Sequence, residues 1–228
     1  MTISLGIYDL FAYLIPGLLY LFAFNEFLRT IGWKFVDISS WLQSGQSPSA
    51  NLIIPALLFS YVVGHVIENI AHWFFFTAIH FFRIRKLQKV STSSLQSVVE
   101  KYPDLRIKFE PKDWDMLFTI LRHRNIEVAR IIDKFQADTI MLRNIAFGLF
   151  LLAIIEFVNF ALSSELTALF TSLGLLVLSV ISFDRSAHFR EWFFAAIFKA
   201  SLEYGKTLKE VVEYERQEKQ VQSRRSEK

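Results

Sequence analysis

The chain has 228 residues, 53% of them hydrophobic, with 24 Phe and a mean hydropathy of +0.33. It contains no Cys, which excludes disulfides, thiolate metal sites, cysteine nucleophiles and palmitoylation and leaves the redox compartment open. The net charge is only +3, but the apolar residues are blocked into runs rather than scattered, as in helical membrane proteins.

Met1-Thr2-Ile3-Ser4 has no basic n-region, and no small-residue cleavage site follows. An uncleaved membrane segment is therefore expected, not a signal peptide. The first span reads as Leu5 to Leu28, with Asp9 near its start and Asn25-Glu26 near its end. Pro16-Gly17 interrupts it, as a kink, a close-packing point or a gating hinge. Arg29 to Ala50 is a polar, charge-poor connection, with Trp33 and Trp41 suited to an interface.

A second span follows, Asn51 to about Phe82, with Pro55 in its first turn, where a missing N–H is tolerated. Some thirty residues at about 1.5 Å each exceed a hydrocarbon core of about 30 Å, so this helix must tilt or project. Trp73, Phe74, Phe75 and Phe76 resemble an aromatic belt, and Arg83, Arg85, Lys86 and Lys89 then mark the cytoplasm.

From Arg83 to Arg143 there are thirteen Lys/Arg against eight Asp/Glu, too polar for lipid. A short helix is expected from Leu95 to Lys101, and another that starts at Glu110-Pro111-Lys112-Asp113 and runs through Arg130 and beyond, amphipathic by Trp114, Leu117, Phe118 and Leu121. The third span is expected over Ile140–Leu162 and the fourth over Leu166–Phe183, joined at Ser163-Ser164-Glu165. Ser172, Gly174, Ser179 and Ser182 permit close helix approach. Asp184, Arg185, His188 and Arg190 mark the cytoplasm again, and a charged helix and tail follow.

These elements predict an all-α integral membrane protein with four transmembrane helices, a cytoplasmic helical insert and a C-terminal cytoplasmic helix. The expected divisions are 1–89 for the first two spans, 90–139 for the insert, 140–184 for the hairpin and 185–228 for the tail. The basic insert and tail fall on one side of the membrane, giving an N-in, C-in topology.

Tyr61, His65, Glu68, Asn69 and His72 recur at spacings of three and four along the second span. Ionisable residues in a membrane helix normally face other helices or a water-filled cavity. They are therefore expected either to line a conduction path or to satisfy one another between packed helices. Metal patterns fail, because a di-iron bundle needs Glu-x-x-His on more than one helix and a zinc protease needs Glu adjacent to its first His. Asn25, Glu26, Glu156 and Asn159 would either snorkel to the interface or form an outer polar ring.

Arg83, Arg85, Lys86 and Lys89 are first a topology signal. With Arg106, Lys108, Arg122 and Arg124 they could form a basic surface for an anionic lipid, a nucleotide or a single-stranded nucleic acid. Arg185 and His188 have two residues between them, whereas HEPN-type nucleases place four to six between their Arg and His. No P-loop, GxSxG or kinase set occurs. No enzyme activity and no cofactor are expected.

The opening Ile7-Tyr8-Asp9-Leu10-Phe11-Ala12-Tyr13-Leu14-Ile15-Pro16-Gly17 resembles the first helix of small bacterial membrane proteins. The order of two spans, basic insert, tight hairpin and charged tail resembles small four-span proteins of bacterial antiphage defence loci. These include the transmembrane effector of Hailong-type systems and the membrane accessories of RADAR and type VI CRISPR systems. The resemblance implies a homo-oligomeric inner-membrane effector in contact with lipid. It also implies gating by an operon-encoded soluble partner or a nucleotide or nucleic-acid signal, and depolarisation of the cell. It assigns no residue by position. A four-helix protomer makes a thin wall, so a pore at a symmetry axis is expected, lined by the second span. The contrasting expectation is a non-conducting anchor that recruits a soluble enzyme. A small transporter ranks last, since inverted repeats are lacking.

Overall fold

A computed structural model describes residues 7–33, 50–81, 95–96, 100 and 111–203. The loop around Ser44, most of the helix expected at Leu95–Lys101 and the tail beyond residue 203 lie outside the described residues. Among the described residues the structure is all helical: α1 (Ile7–Thr30), α2 (Ala50–Phe81), α3 (Trp114–Arg124), α4 (Ile126–Ser163) and α5 (Leu166–Glu203). A 3-10 turn, Pro111–Asp113, precedes α3. Four of the helices, α1, α2, α4 and α5, are long and apolar enough to cross a membrane.

Two boundaries differ from expectation. The third span was expected to begin at Ile140 and the fourth to end at Phe183, but α4 and α5 each run 38 residues. At about 1.5 Å per residue each reaches about 57 Å, well beyond a bilayer core of about 30 Å. The charged residues that end the apolar runs do not end the helices. Neither Pro nor Gly stands between Ile126 and Phe147, or between Leu175 and Glu203, so only hydropathy changes there.

The third difference is a break within the helix expected to run unbroken through Arg130. Asn125 stops α3 and starts α4. Its backbone is extended (φ −144°, ψ 95°), and its N–H donates to the Leu121 carbonyl at 2.8 Å. Its Oδ1 accepts from the Glu127 and Val128 N–H groups, each at 3.2 Å. An Asn side chain that satisfies the first orphan donors of a helix competes with helix continuation. Asn125→Ala is expected to cost about 1 kcal/mol by loss of this cap, read as a lowered midpoint of thermal unfolding.

The chain forms two compact units, Met1–Phe82 with Ala137–Ala187, and Arg83–Gln136 with His188–Lys228. In the first, α4 and α5 form an antiparallel hairpin joined by Ser164 and Glu165. Ser164 takes a left-handed backbone (φ 57°) and donates its N–H to the Phe160 carbonyl at 2.7 Å. A ladder of hydroxyls seals the hairpin. Ser172, Ser179 and Ser186 of α5 donate to the carbonyls of Ala153, Ala146 and Thr139 of α4 at 2.7, 2.7 and 2.9 Å. Both sets repeat every seven residues, the spacing that keeps one seam in register along two supercoiled helices. Small residues let the backbones approach, and hydroxyls supply hydrogen bonds that lipid cannot. Ser172 and Ser179 do both, whereas Gly174 has nothing within 4 Å of where a Cβ would stand.

The α1–α2 contact is closer still. A Cβ on Gly17 would stand 1.7 Å from the Ser60 carbonyl oxygen, and one on Gly64 would stand 2.0 Å from that of Tyr13. Pro16, fully buried, sits at this crossing, and α1 passes through it as one helix.

The second unit has its own core of Leu117, Phe118, Leu121, Ile132, Phe193, Ile197 and Phe198. The amphipathic period of α3 places Leu117 and Leu121 on the buried face. Trp114 meets Phe193 and Phe194 edge-on at 5.8 and 5.5 Å, geometries that add to burial because of the ring quadrupoles.

Candidate functional site

The charged centre of the first unit is Arg143 on α4. Its side chain is 10% exposed and lies against Glu68 of α2, which is 22% exposed. Arg143 Nη2 donates to Glu68 Oε1 at 2.9 Å, and its Nη1 lies 2.8 Å from Nδ1 of His72. A guanidinium only donates, so this contact requires an unprotonated His72 Nδ1, with the ring proton on Nε2. One cation thus bridges a carboxylate and an imidazole one helical turn apart. Helical spacing puts Glu68 and His72 on the same side of α2, and the long Arg side chain reaches both.

Two tyrosines of α1 lie near the pair. Tyr20, 3% exposed, donates its hydroxyl to the Asn144 carbonyl at 2.8 Å and packs with Ala71 and Phe147. Tyr13 meets Tyr61 and His65 of α2 edge-on at 5.9 and 4.8 Å. The Asn144 side chain is fully buried, and its amide makes no hydrogen bond to the described residues. Arg143 lies between Thr139 and Ala146, which pair with Ser186 and Ser179. That register sets Arg143 opposite Ser182, two residues before Asp184, where the apolar stretch of α5 ends.

The five-residue stripe on α2 therefore divides. Glu68 and His72 join Arg143, Tyr61 and His65 join Tyr13, and Asn69 is exposed on the outer side of the helix. Sequence reading missed Arg143, counting it with the basic insert. The signal was present: in Met141-Leu142-Arg143-Asn144-Ile145-Ala146 a lone cation sits inside an apolar run, and such a cation needs a carboxylate on a neighbouring span. Gly64, the counterpart of Gly17, and Ser186 were missed as well.

A second polar feature lies about 20 Å along α4, thirteen residues from Arg143 at about 1.5 Å each. Glu26, Arg29, Glu156, Asn159, Glu165 and Thr171 are among the residues lining a cavity of about 470 Å³. Arg29 Nη1 stands 3.6 Å from Glu26 Oε2, and Asn159 Nδ2 donates to Glu156 Oε2 at 3.5 Å. Three of the four residues expected at the outer polar ring thus meet within one chain. The fourth, Asn25, is 9% exposed and does not line the cavity. Three carboxylates, those of Glu26, Glu156 and Glu165, share this lining with one guanidinium, that of Arg29. Among the described residues, no group of three or more His, Asp or Glu could hold a metal ion.

Of the expected basic surface, Arg83, Arg85, Lys86, Lys89, Arg106 and Lys108 lie outside the described residues. Arg122 is occupied, with Nη2 2.7 Å from Asp133 Oδ1 and its guanidinium 5.0 Å over the Phe118 ring. Arg124 is exposed. Pro16 and Gly17, expected at a hinge or packing point, sit in the tight contact with Ser60. A pivot there must first separate that contact.

No family model matches the chain, and neither a curated protein nor a solved structure matches it.

Proposed function

We propose that this protein is the subunit of an oligomeric, channel-like effector of the bacterial inner membrane, acting in antiphage defence by dissipating membrane potential. The observation that carries this reading is the Glu68–Arg143–His72 cluster within helices apolar enough to span a bilayer. Ionisable groups at such positions are costly and characteristically mark ion or proton paths. The carboxylate-lined cavity on the same unit fits an entry for positive ions. The proposal places both termini, the insert and the C-terminal helix in the cytoplasm, where a soluble partner or a nucleotide or nucleic-acid signal triggers opening. The defence setting rests on the architectural resemblance described above.

In the test, the chain is expressed with its gene neighbours and followed with a membrane-potential dye. Wild type is expected to depolarise cells. Glu68→Gln and His72→Ala are expected to reduce depolarisation at least tenfold at equal membrane abundance, since each removes one partner of the buried guanidinium. Unchanged depolarisation in both variants would rule out this cluster as part of the path.

A second reading has one observation in its favour. The Arg143 guanidinium finds its partners inside a single chain, as purely structural intramembrane pairs do. A non-conducting anchor that holds a soluble defence enzyme at the membrane fits that observation. It expects no change of potential with or without the neighbouring gene products.

A further inference from the structure

Among the spans, α2 owes least to its own chain. Leu58 is 63% exposed, Val62 54%, Val66 62%, Ile70 53% and Trp73 69%. Its inward face is set by Ser60, at 0% exposure, Ala71, at 1%, and Gly64, which touches α1. At about 100° per residue, Asn69 lies about 180° from Ser60 and about 160° from Ala71. It stands near the centre of the outward face and is exposed.

Exposed Leu and Val need no explanation in a lipid-facing helix, but an exposed carboxamide does. Lipid tails offer it no hydrogen bond. Leu58, Val62 and Asn69 follow one another at spacings of four and seven, spacings found along the a/d positions of a helix–helix seam; His65, between them, meets Tyr13 of α1. Leu58, Val62 and Asn69 are all exposed. A single Asn on such a seam fixes register, and between membrane helices it adds hydrogen bonding.

We infer that this outward seam of α2 is the surface on which a second copy of this chain docks, with parallel α2 helices hydrogen-bonded through their Asn69 side chains. Copies inserted in the same orientation hold Asn69 at the same depth. A carboxamide both donates and accepts, so the pair is self-complementary. Val62 and Leu58 continue the contact about two and three turns toward the start of the helix. The inference deepens the oligomeric reading above and rests on it for self-association, not for conduction.

The absence of native Cys makes the test direct. Leu58→Cys and Val62→Cys, both at exposed positions, are each introduced into the full chain, and native membranes are oxidised. Leu176→Cys and Val180→Cys, 41% and 62% exposed on α5, serve as controls. Disulfide-linked dimers of twice the chain mass are expected from the two α2 positions and not from the α5 positions. Adding Asn69→Leu is expected to weaken association measured by energy transfer in detergent dilution roughly five- to thirty-fold, the factor corresponding to about 1–2 kcal/mol per interhelical hydrogen bond.

Oligomers on a native gel without α2 cross-links, or cross-links only through α5, would overturn the interface and leave the oligomeric reading standing. Cross-links of α2 to a protein of another mass would also overturn it. Absence of any oligomer would overturn both. Efficient α2 cross-linking in a chain that never changes membrane potential would confirm the interface and count against the channel alone.

Discussion

Arg143→Ala is expected to destabilise the protein by about 3–5 kcal/mol, the largest loss of any single side chain discussed above. The variant leaves Glu68 beneath α4 with no cation, since the Glu68–Arg143 contact at 2.9 Å is its charge pairing. An uncompensated carboxylate in a low-dielectric setting costs more than the pair itself contributes. Removing both charges while keeping volume should therefore cost much less. The double variant Glu68→Gln with Arg143→Met is expected to recover at least half of the loss. Graded unfolding from detergent micelles checks both, and a double-mutant cycle with coupling below about 0.5 kcal/mol would remove the pair as a stabilising element.

Gly64→Ala is the second large effect and works through shape alone. The new methyl would stand 2.0 Å from the Tyr13 carbonyl oxygen, a backbone atom that cannot swing aside, so α1 and α2 must separate. Overpacking of this kind costs about 1–3 kcal/mol and occasionally more, and Gly17→Ala, at 1.7 Å from Ser60 O, should match or exceed it. Gly174→Ala supplies the control, because nothing lies within 4 Å of its Cβ position. There the substitution is expected to be neutral or stabilising by up to about 1 kcal/mol, through helix propensity. Spin labels at Leu10 and Leu57, both exposed, would report a widened α1–α2 distance in the Gly64 variant and no change in the Gly174 variant.

The division into apolar runs was readable from residue order, because a bilayer core demands about 20 apolar residues and imposes little else. The turn at Ser163-Ser164-Glu165 was readable for a related reason: nothing else polar stands between two such runs. The helix ends were less legible. Hydropathy reports where lipid stops, whereas a helix stops where backbone hydrogen bonding is diverted, as Asn125 diverts it and Asp184 does not. The partners of the polar residues depended on rotation and on which span lies next to which. Glu68 could be singled out from its own helix, but its pairing with Arg143, 75 residues away, needed the tertiary arrangement. Asn69 belonged by spacing to the same stripe, yet about 100° of helix rotation separates it from Glu68 and carries it to the opposite environment.

The serine ladder of the α4–α5 hairpin has a consequence for depth. Each hydroxyl bonds to a backbone carbonyl, so the residues that supply those carbonyls can change side chain without loss of the bond. What is fixed is the pairing of positions. Because the bonded positions repeat every seven residues, the slide that brings each serine to the next bonded position is seven residues, about 10.5 Å. That slide is a third of a hydrocarbon core of about 30 Å, enough to drag Glu165 or Asp184 into lipid. The ladder therefore gives the hairpin one seat, and it ties the depth of Arg143 on α4 to that of Asp184 on α5.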